Sequence, residues 1–263
     1  MPSTDPQQSI LDHPAISGNY LFPQQRYLDD PFLVEVGGIK LTCFHKVVDP
    51  EHHTIIHFHG NGEAVYDYLD VADELANLGV NSLFVEYREY GGSTGKAQLV
   101  AMLGDGESVV AAAGLTPQKV IAFGRSIGSM YAIELVHRLP KIAGLILESG
   151  IARPAERFLM YADLSSGEIC DDDVLLEVDR HFNHQTKLSG YRGPLLVLHT
   201  ENDGLVDISH GEQNYEWAAS SAKRFLRFPV GDHNSILALN HAEYFKAVDE
   251  FIRLRVIEAG EDE

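Results

Sequence analysis

The stretch KVIAFGRSIGSMYAIELVHRL, residues 119–139, decides the fold. It joins a short apolar run to the pattern G-x-S-x-G at residues 124–128, and a segment of helical character follows. A strand that runs directly into the first glycine, with a helix starting near the serine, is the context that a nucleophile elbow requires. We therefore predict that Ser126 is a nucleophile. The alternative, in which Ser126 only caps a helix after a tight turn, stays open.

The same five-residue pattern occurs a second time, at residues 91–95. Three residues separate this match from the strand before it, and more glycine follows rather than a helix. We therefore predict that Ser93 belongs to a turn.

Outward from residues 119–139, short apolar runs alternate with longer helical patterns. Residues 32–47 read as a hairpin split by Gly37-Gly38. Further strands are predicted at 54–59, 81–87, 119–124, 142–148, 194–200 and 223–229. Near-continuous apolar strands that alternate with helices indicate βαβ crossovers, hence an α/β domain with a parallel sheet between helical layers. Its predicted extent is 32–257, with a polar surface segment at 1–31 and an acidic tail at 258–263.

About 45 residues between two of the predicted strands break this alternation. Helix-like stretches near 153–163 and 172–184 make residues 151–190 a predicted cap insertion over the edge of the sheet, since a plain crossover is usually shorter. One crossover helix with a long loop is the alternative.

A serine nucleophile needs a base and an acid that orients the base. Asp203 follows a predicted strand at its carboxyl end, where open α/β sheets gather ligands. His233 lies in a loop after the last strand, whereas His210 and His241 fall on helices. We predict Asp203 as the acid and His233 as the base. Two other acids near Asp203 remain as alternatives, namely Glu201 and Asp207.

The reaction also needs donors for the oxyanion. The loop His59-Gly60-Asn61-Gly62-Glu63 follows a predicted strand and precedes a helix. We predict that the N–H groups of Asn61 and of Ile127 are the donors, the second at a helix N-terminus. The N–H of Gly60 is the alternative to that of Asn61, and a plain glycine-rich loop remains possible.

Composition excludes several classes of function. The formal charge of −19 opposes binding to nucleic acid, and no apolar run is long enough to span a membrane. The first twenty residues lack the features of a secretory signal. Two cysteines are too few for a disulfide framework, which fits a cytoplasmic protein. No cofactor is expected, and the sequence does not give the oligomeric state.

Two other interpretations compete with a serine hydrolase. His57 and His59 lie two apart on a strand and share a face, as a metal pair would, but further ligands do not follow. A metallohydrolase is therefore the weaker enzyme class. A non-catalytic binding protein of the same fold is the other rival, although such proteins usually lose a catalytic residue.

Five motifs in order, HFHGNGE, EYREYGGSTG, FGRSIGS, HTENDGLVDISHG and GDHN, resemble the alpha/beta-hydrolase superfamily. The likeness covers about residues 32–252 and is closest to small-capped serine hydrolases, among them depalmitoylases and prolyl-oligopeptidase-like esterases. It implies a mostly parallel eight-stranded sheet and a triad of Ser126, Asp203 and His233. Glu89 stands where the family usually has glycine, and the proline often found at the position of Asp207 is missing. The membrane-tethered relatives carry an N-terminal apolar or cysteine-rich anchor; residues 1–31 show neither feature, so no membrane anchor is expected.

Together these observations predict a serine hydrolase that cleaves a carboxylic ester or thioester of a short to medium acyl chain through an acyl-enzyme. Cleavage of an amide or peptide bond by the same triad is the alternative.

Overall fold

The computed structural model describes residues 9–261, with side chains through residue 254. Its strands are β1 (Phe32–Val36), β2 (Ile39–Lys46), β3 (Thr54–Phe58), β4 (Asn81–Val85), β5 (Val120–Arg125), β6 (Gly144–Glu148), β7 (Leu195–Thr200) and β8 (Lys223–Phe228). They form one eight-stranded sheet in the order β1-β2-β4-β3-β5-β6-β7-β8. The β1–β2 and β2–β4 pairs are antiparallel, and the other pairs are parallel. The predicted mostly parallel eight-stranded sheet is confirmed.

Helices flank this sheet. They are α1 (Leu69–Asn77), α2 (Asp105–Ala112), α3 (Gly128–Arg138), α4 (Pro154–Tyr161), α5 (Asp171–Phe182), α6 (His184–Gly190), α7 (Ile208–Trp217) and α8 (Ile236–Glu261). Every residue of β3 to β7 is buried, because helices cover these strands on both sides. Along β5, Val120 and Ala122 join one core cluster while Ile121 and Phe123 join another. The alternation of side chains along a strand thus places one hydrophobic core on each face of the sheet.

The N-terminal segment differs from its prediction as a surface segment. Within residues 9–31, four apolar side chains are buried in one of the two cores, namely Leu11, Ile16, Tyr20 and Leu21. The ring of Tyr20 meets the ring of Phe158 on α4 edge-on, with centroids 5.2 Å apart. The N-terminal segment therefore packs against the core on one side and against α4 on the other. The polar character of the stretch concealed this, since its apolar residues are few and widely spaced. Residues 1–8 lie outside the described part of the chain.

Residues 151–190 contain three helices where two were predicted. α4 and α5 match the predicted stretches closely, and α5 packs against residues 10–12. The additional helix α6 packs against α3 and α7 at the side of the sheet. Residues 151–190 thus combine a layer of two helices, α4 and α5, with the short helix α6 that leads to β7.

The last helix corrects one detail of the sequence analysis. The predicted apolar face of α8 holds for the buried Phe245, Val248, Phe251 and Ile252, but Leu239 is exposed. The backbone at Asn240 leaves helical geometry, so the first turn is rotated relative to the rest. The backbone of α8 continues to residue 261, and residues 262–263 of the predicted tail lie outside the described range. Among the helices described, none has the length and apolar character that crossing a bilayer demands.

Candidate active site

Ser126 sits on a sharp turn between β5 and α3. Its φ of +53° is left-handed, a conformation that costs a residue with a side chain about 1–3 kcal/mol. The neighbouring glycines permit this turn. A Cβ atom on Gly128 would lie 2.0 Å from the carbonyl oxygen of Phe58, and one on Gly124 would lie 2.5 Å from the Cα of Ser129. The G-x-S-x-G pattern is therefore required by close backbone packing, and it presents Ser126 at the carboxyl end of the sheet. The second match differs, because Ser93 closes a turn by donating its N–H to the carbonyl of Tyr90 at 2.9 Å, and its Oγ accepts a hydrogen bond from the Thr42 N–H.

Three side chains from three separate loops meet at this turn. The Nε2 of His233 is 3.0 Å from the Oγ of Ser126, and its Nδ1 is 2.8 Å from the Oδ2 of Asp203. All three residues are buried. In the neutral tautomer that donates from Nδ1 to the carboxylate, Nε2 is free to accept the proton of the serine hydroxyl. The structure thus brings together all three residues that the sequence analysis chose.

Asp203 is held as an anion. Its Oδ1 accepts hydrogen bonds from the N–H groups of Leu205 and Val206, at 3.0 and 2.8 Å. Burial by itself raises the pKa of this carboxyl, but hydrogen bonds from His199 and His233 outweigh burial and hold the pKa well below its usual range. A permanently ionised carboxylate can orient the imidazole and stabilise its protonated form.

The two rival acids occupy other positions. Asp207 caps the first turn of α7, where its side chain accepts a hydrogen bond from the N–H of Ser209. Glu201 is exposed. The structure brings only Asp203, among these three acids, to the ring of His233.

Asn61 lies in the turn after β3, with its side chain fixed by the N-terminal segment. Its Oδ1 accepts from the N–H of Phe22 and from the hydroxyl of Tyr90, both at 2.9 Å, and its Nδ2 donates to the carbonyl of Tyr20. The N–H of Gly60 is already used, because it donates to the Oε2 of Glu63 at 2.6 Å. This favours Asn61 over Gly60 as the predicted oxyanion donor.

Ile127 directly follows Ser126 and is the N-cap residue of α3. Its side chain is buried, which fixes the peptide next to the nucleophile. An N–H at the start of a helix lies at the positive end of the helix dipole and can stabilise a developing negative charge.

A pocket of about 220 Å³ opens onto these groups. Its walls come from the loops that carry Ser126, Asn61 and His233, from the N-terminal segment and from α4. The lining residues include Tyr20, Phe22, Asn61, Ser126, Ile151, Arg157, Tyr161, Leu205, Val206 and His233. The sequence analysis missed Tyr20, Phe22, Arg157 and Tyr161. The apolar residues of the N-terminal segment were the available signal for the first two, but no motif marks any of the four.

Arg125, the residue before the nucleophile, is the centre of a buried ionic cluster. Its guanidinium lies 2.6 Å from the Oε1 of Glu63 and 3.0 Å from the Oε1 of Glu148. Its Nη2 also donates to the carbonyl of His233 at 2.9 Å. The hydroxyl of Tyr244 donates to Glu148 at 2.5 Å. Burial raises the pKa of Glu148, and the neighbouring Arg125 opposes that effect. The cluster therefore ties the nucleophile strand to the loop that carries the histidine.

This cluster also borders a second cavity of about 240 Å³, which lies between the sheet, α1 and α8. Arg125, Glu63 and Asn234 line both this cavity and the pocket at Ser126. Ser126, His233 and Asp203 do not line the second cavity. Of these two cavities, only the pocket at Ser126 reaches the hydrogen-bonded Ser126 and His233.

The two histidines weighed as a metal pair have separate environments. His57 packs against the rings of Tyr68, Phe84 and Phe123, with centroids 4.5–5.0 Å away. His59 Nε2 lies 2.8 Å from the Oε1 of Glu86. Over the described residues, no group of three histidine, cysteine, aspartate or glutamate side chains could hold a metal ion.

Comparison with known proteins gives consistent similarities. The family model "Serine aminopeptidase, S33" matches residues 49–167. The uncharacterized protein YfhR of Escherichia coli is 26% identical over 200 residues, which are 73% of this chain and 67% of that protein. Alpha/beta hydrolase domain-containing protein 17C of Homo sapiens is 26% identical over 222 residues, which are 81% of this chain and 62% of that protein. The chain thus spans about two thirds, or less, of the length of these relatives.

Among solved structures, the esterase Pf2001 of Pyrococcus furiosus is similar with a TM-score of 0.70. The sequences are 17% identical, and the superposition covers 88% of this chain and 98% of the esterase. At this identity the likeness concerns the fold alone.

Proposed function

Because the chain belongs to the alpha/beta-hydrolase superfamily, we propose that it is a serine hydrolase that cleaves a carboxylic ester or thioester through an acyl-enzyme. The observation that carries the proposal is the position of the His233 ring, hydrogen-bonded to Ser126 on one side and to Asp203 on the other.

In this mechanism the Oγ of Ser126 attacks the carbonyl carbon while Nε2 of His233 takes the hydroxyl proton. The negative oxygen of the tetrahedral intermediate accepts hydrogen bonds from the N–H groups of Asn61 and Ile127, each worth about 3 kcal/mol in such sites. His233 then passes its proton to the departing alcohol or thiol. Water, activated by the same ring, hydrolyses the acyl-enzyme and restores the serine.

The pocket supports a small substrate. Its volume of about 220 Å³ is below the roughly 300–1,000 Å³ that hold drug-sized ligands. Two aromatic side chains, Phe22 and Tyr161, meet with ring centroids 6.2 Å apart and form part of the wall. We propose that residues 151–190 act as a cap that sets the acyl-chain preference, because α4 supplies Tyr161 to this wall. Replacing Tyr161 by Ala should shift the preference towards longer acyl chains, whereas an unchanged chain-length profile would contradict this role.

Fluorophosphonate labelling of the native protein tests the activated nucleophile. The label should attach stoichiometrically to Ser126, as located by mass spectrometry, and should be absent from heat-denatured protein and from Ser126→Ala. Ser93→Ala is the matched control, because Ser93 lies in the other G-x-S-x-G match and its variant should label like the wild type. Absence of label from Ser126 in the native protein would overturn the proposal.

The same variant separates an enzyme from a binding protein. Ser126→Ala should lower ester hydrolysis by about 10⁴-fold or more and leave ligand affinity largely intact. The description of the matching family model as a serine aminopeptidase favours amide cleavage as the second candidate. Comparing an acetyl ester with the corresponding anilide would decide between the two bonds.

We also propose a cytoplasmic, reducing location. The two cysteines, Cys43 and Cys170, are both free thiols. Free thiols are typical of reducing compartments.

A further inference from the structure

Arg157, on α4, lines the same pocket as Ser126 and His233. Its guanidinium donates to the carbonyl of Leu205 at 3.0 Å through Nη1. Its Nε is buried and has no hydrogen-bond partner within the described chain. None of the carboxylates that the structure describes forms an ion pair with Arg157.

The lack of a carboxylate partner sets Arg157 apart from nearby arginines. The chain has 39 acidic and 20 basic residues, so carboxylates are abundant. One turn away, the guanidinium of Arg153 lies 2.5 Å from the carboxylate of Glu156. On α5, the guanidinium of Arg180 lies 3.5 Å from the carboxylate of Glu177. The carboxylate that does line the pocket, Glu63, already pairs with Arg125. Arg157 therefore brings an uncompensated positive charge to the pocket.

The groups around Arg157 complete a site for an anion. The ring of Tyr161 lies 5.7 Å from the guanidinium carbon, within the range of a cation–π contact. The Tyr20 hydroxyl is a neighbour of the guanidinium, and burial, partly opposed by Arg157, raises the pKa of this tyrosine to about 12. The hydroxyl thus stays protonated and can donate. A planar guanidinium can bind a carboxylate through two parallel hydrogen bonds, and Arg157 makes no such pair with a carboxylate of the described chain.

We propose that Arg157 binds a free carboxylate on the substrate, so that the enzyme prefers small esters that carry a carboxylate a few atoms from the scissile carbonyl. This inference rests on the proposed serine hydrolase function and specifies its substrate class. The small pocket limits the spacing, because the guanidinium and the nucleophile line the same space of about 220 Å³.

Two pairs of substrates test the preference, with the acid released measured by titration at constant pH. Monomethyl succinate, with the charge on the acyl group, is compared with methyl 4-methylpentanoate, in which an isopropyl group replaces the carboxylate. Acetoxyacetate, with the charge on the leaving group, is compared with isobutyl acetate. In at least one pair, kcat/KM for the charged ester should exceed that of its neutral isostere by about tenfold or more, as expected for a hydrogen bond to a charged group.

Three variants assign the preference to one residue. Arg157→Gln should lower kcat/KM for the charged ester by about 10- to 100-fold and change that of the isostere by less than about threefold. Arg157→Lys keeps the charge without the planar fork and should fall in between. Arg180→Gln is the control, because Arg180 lies on the cap but not in the pocket, and it should behave like the wild type.

The outcomes separate this inference from the function on which it rests. If fluorophosphonate labels Ser126 but neither charged ester is preferred by the wild type, the anion site is wrong and the serine hydrolase stands. An equal loss on charged and neutral esters in Arg157→Gln also overturns the site. If Ser126 takes no label and no ester is hydrolysed, the proposed serine hydrolase function is wrong, and the inference about Arg157 falls with it.

Discussion

Replacing Arg125 by Gln removes the only cation of the buried cluster described next to the nucleophile. Its side chain is 10% exposed, and it faces Glu148, which is 4% exposed, and Glu63. Breaking a buried ion pair from one side costs about 3–5 kcal/mol, because the remaining charge stays buried without compensation. Domains of this kind unfold with about 5–15 kcal/mol, so the variant should lose a large part of its stability.

The loss should depend on pH in a defined direction. Without the guanidinium, burial raises the pKa of Glu148 further above its unfolded value of 4.5. A group whose pKa is raised by folding contributes stability at low pH and loses it as the pH rises. The deficit of Arg125→Gln relative to the wild type should therefore be larger at about pH 8 than at about pH 5.5.

Urea unfolding, followed by the fluorescence of Trp217, measures both effects. The double variant Arg125→Gln/Glu148→Gln removes the uncompensated carboxylate as well, and at about pH 8 it should be more stable than the single variant by about 1–2 kcal/mol. A loss below about 1 kcal/mol in Arg125→Gln, or an equal loss at both pH values, would refute the argument.

Three further predictions concern the backbone, a buried histidine and the acid. Gly128→Ala should destabilise the fold by at least about 3 kcal/mol in thermal melting, because the new Cβ would lie 2.0 Å from the carbonyl oxygen of Phe58. Gly190→Ala, which meets open space, should change stability by less than about 1 kcal/mol, and similar melting of both variants would contradict the packing argument. Burial lowers the pKa of His184 to about 3 from an unfolded value of 6.5, so the unfolded chain takes up a proton that the folded chain does not, and stability falls as the pH drops below 6.5. By about pH 5 this residue should lower the free energy of unfolding by about 2 kcal/mol. A His184→Gln variant that loses as much stability as the wild type between pH 7 and pH 5 in urea unfolding would contradict this. Asp203→Asn should lower kcat by about 10⁴-fold with little change in KM, and retention of a tenth of the activity would mean that another carboxylate orients the base.

The sheet could be predicted because its signal is local. Each predicted strand corresponds to an observed strand, since a run of four to eight residues bounded by turn residues is too short for a typical helix and is consistent with a strand. Glu89 shows that a motif also reflects the backbone conformation at each of its positions. Its φ is +70°, which explains physically why glycine is usual at this position in the family.

The proposed triad and the walls of the pocket differ in how far the sequence specifies them. Ser126, Asp203 and His233 each follow a strand end, so chain order and element type were enough to select them. Tyr20 and Arg157 lie on the N-terminal segment and on α4, which no strand end or motif positions. Their place in the pocket depends on long-range packing, such as the contact between Tyr20 and the ring of Tyr161 with centroids 5.5 Å apart. Sequence periodicity does not encode contacts of this kind.

The hydrogen bonds that fix the side chain of Asn61 have a kinetic consequence. The backbone of Tyr20 and Phe22 holds this side chain, and the rings of the same two residues form a wall of the pocket. An acyl group too bulky for the pocket presses on that wall and, through it, displaces the loop whose N–H is proposed to receive the oxyanion. If Asn61 serves as the proposed donor, misfit therefore also weakens the stabilisation of the transition state. Under the proposed mechanism, an oversized substrate would lose kcat in addition to affinity, so discrimination by size would extend to the chemical step.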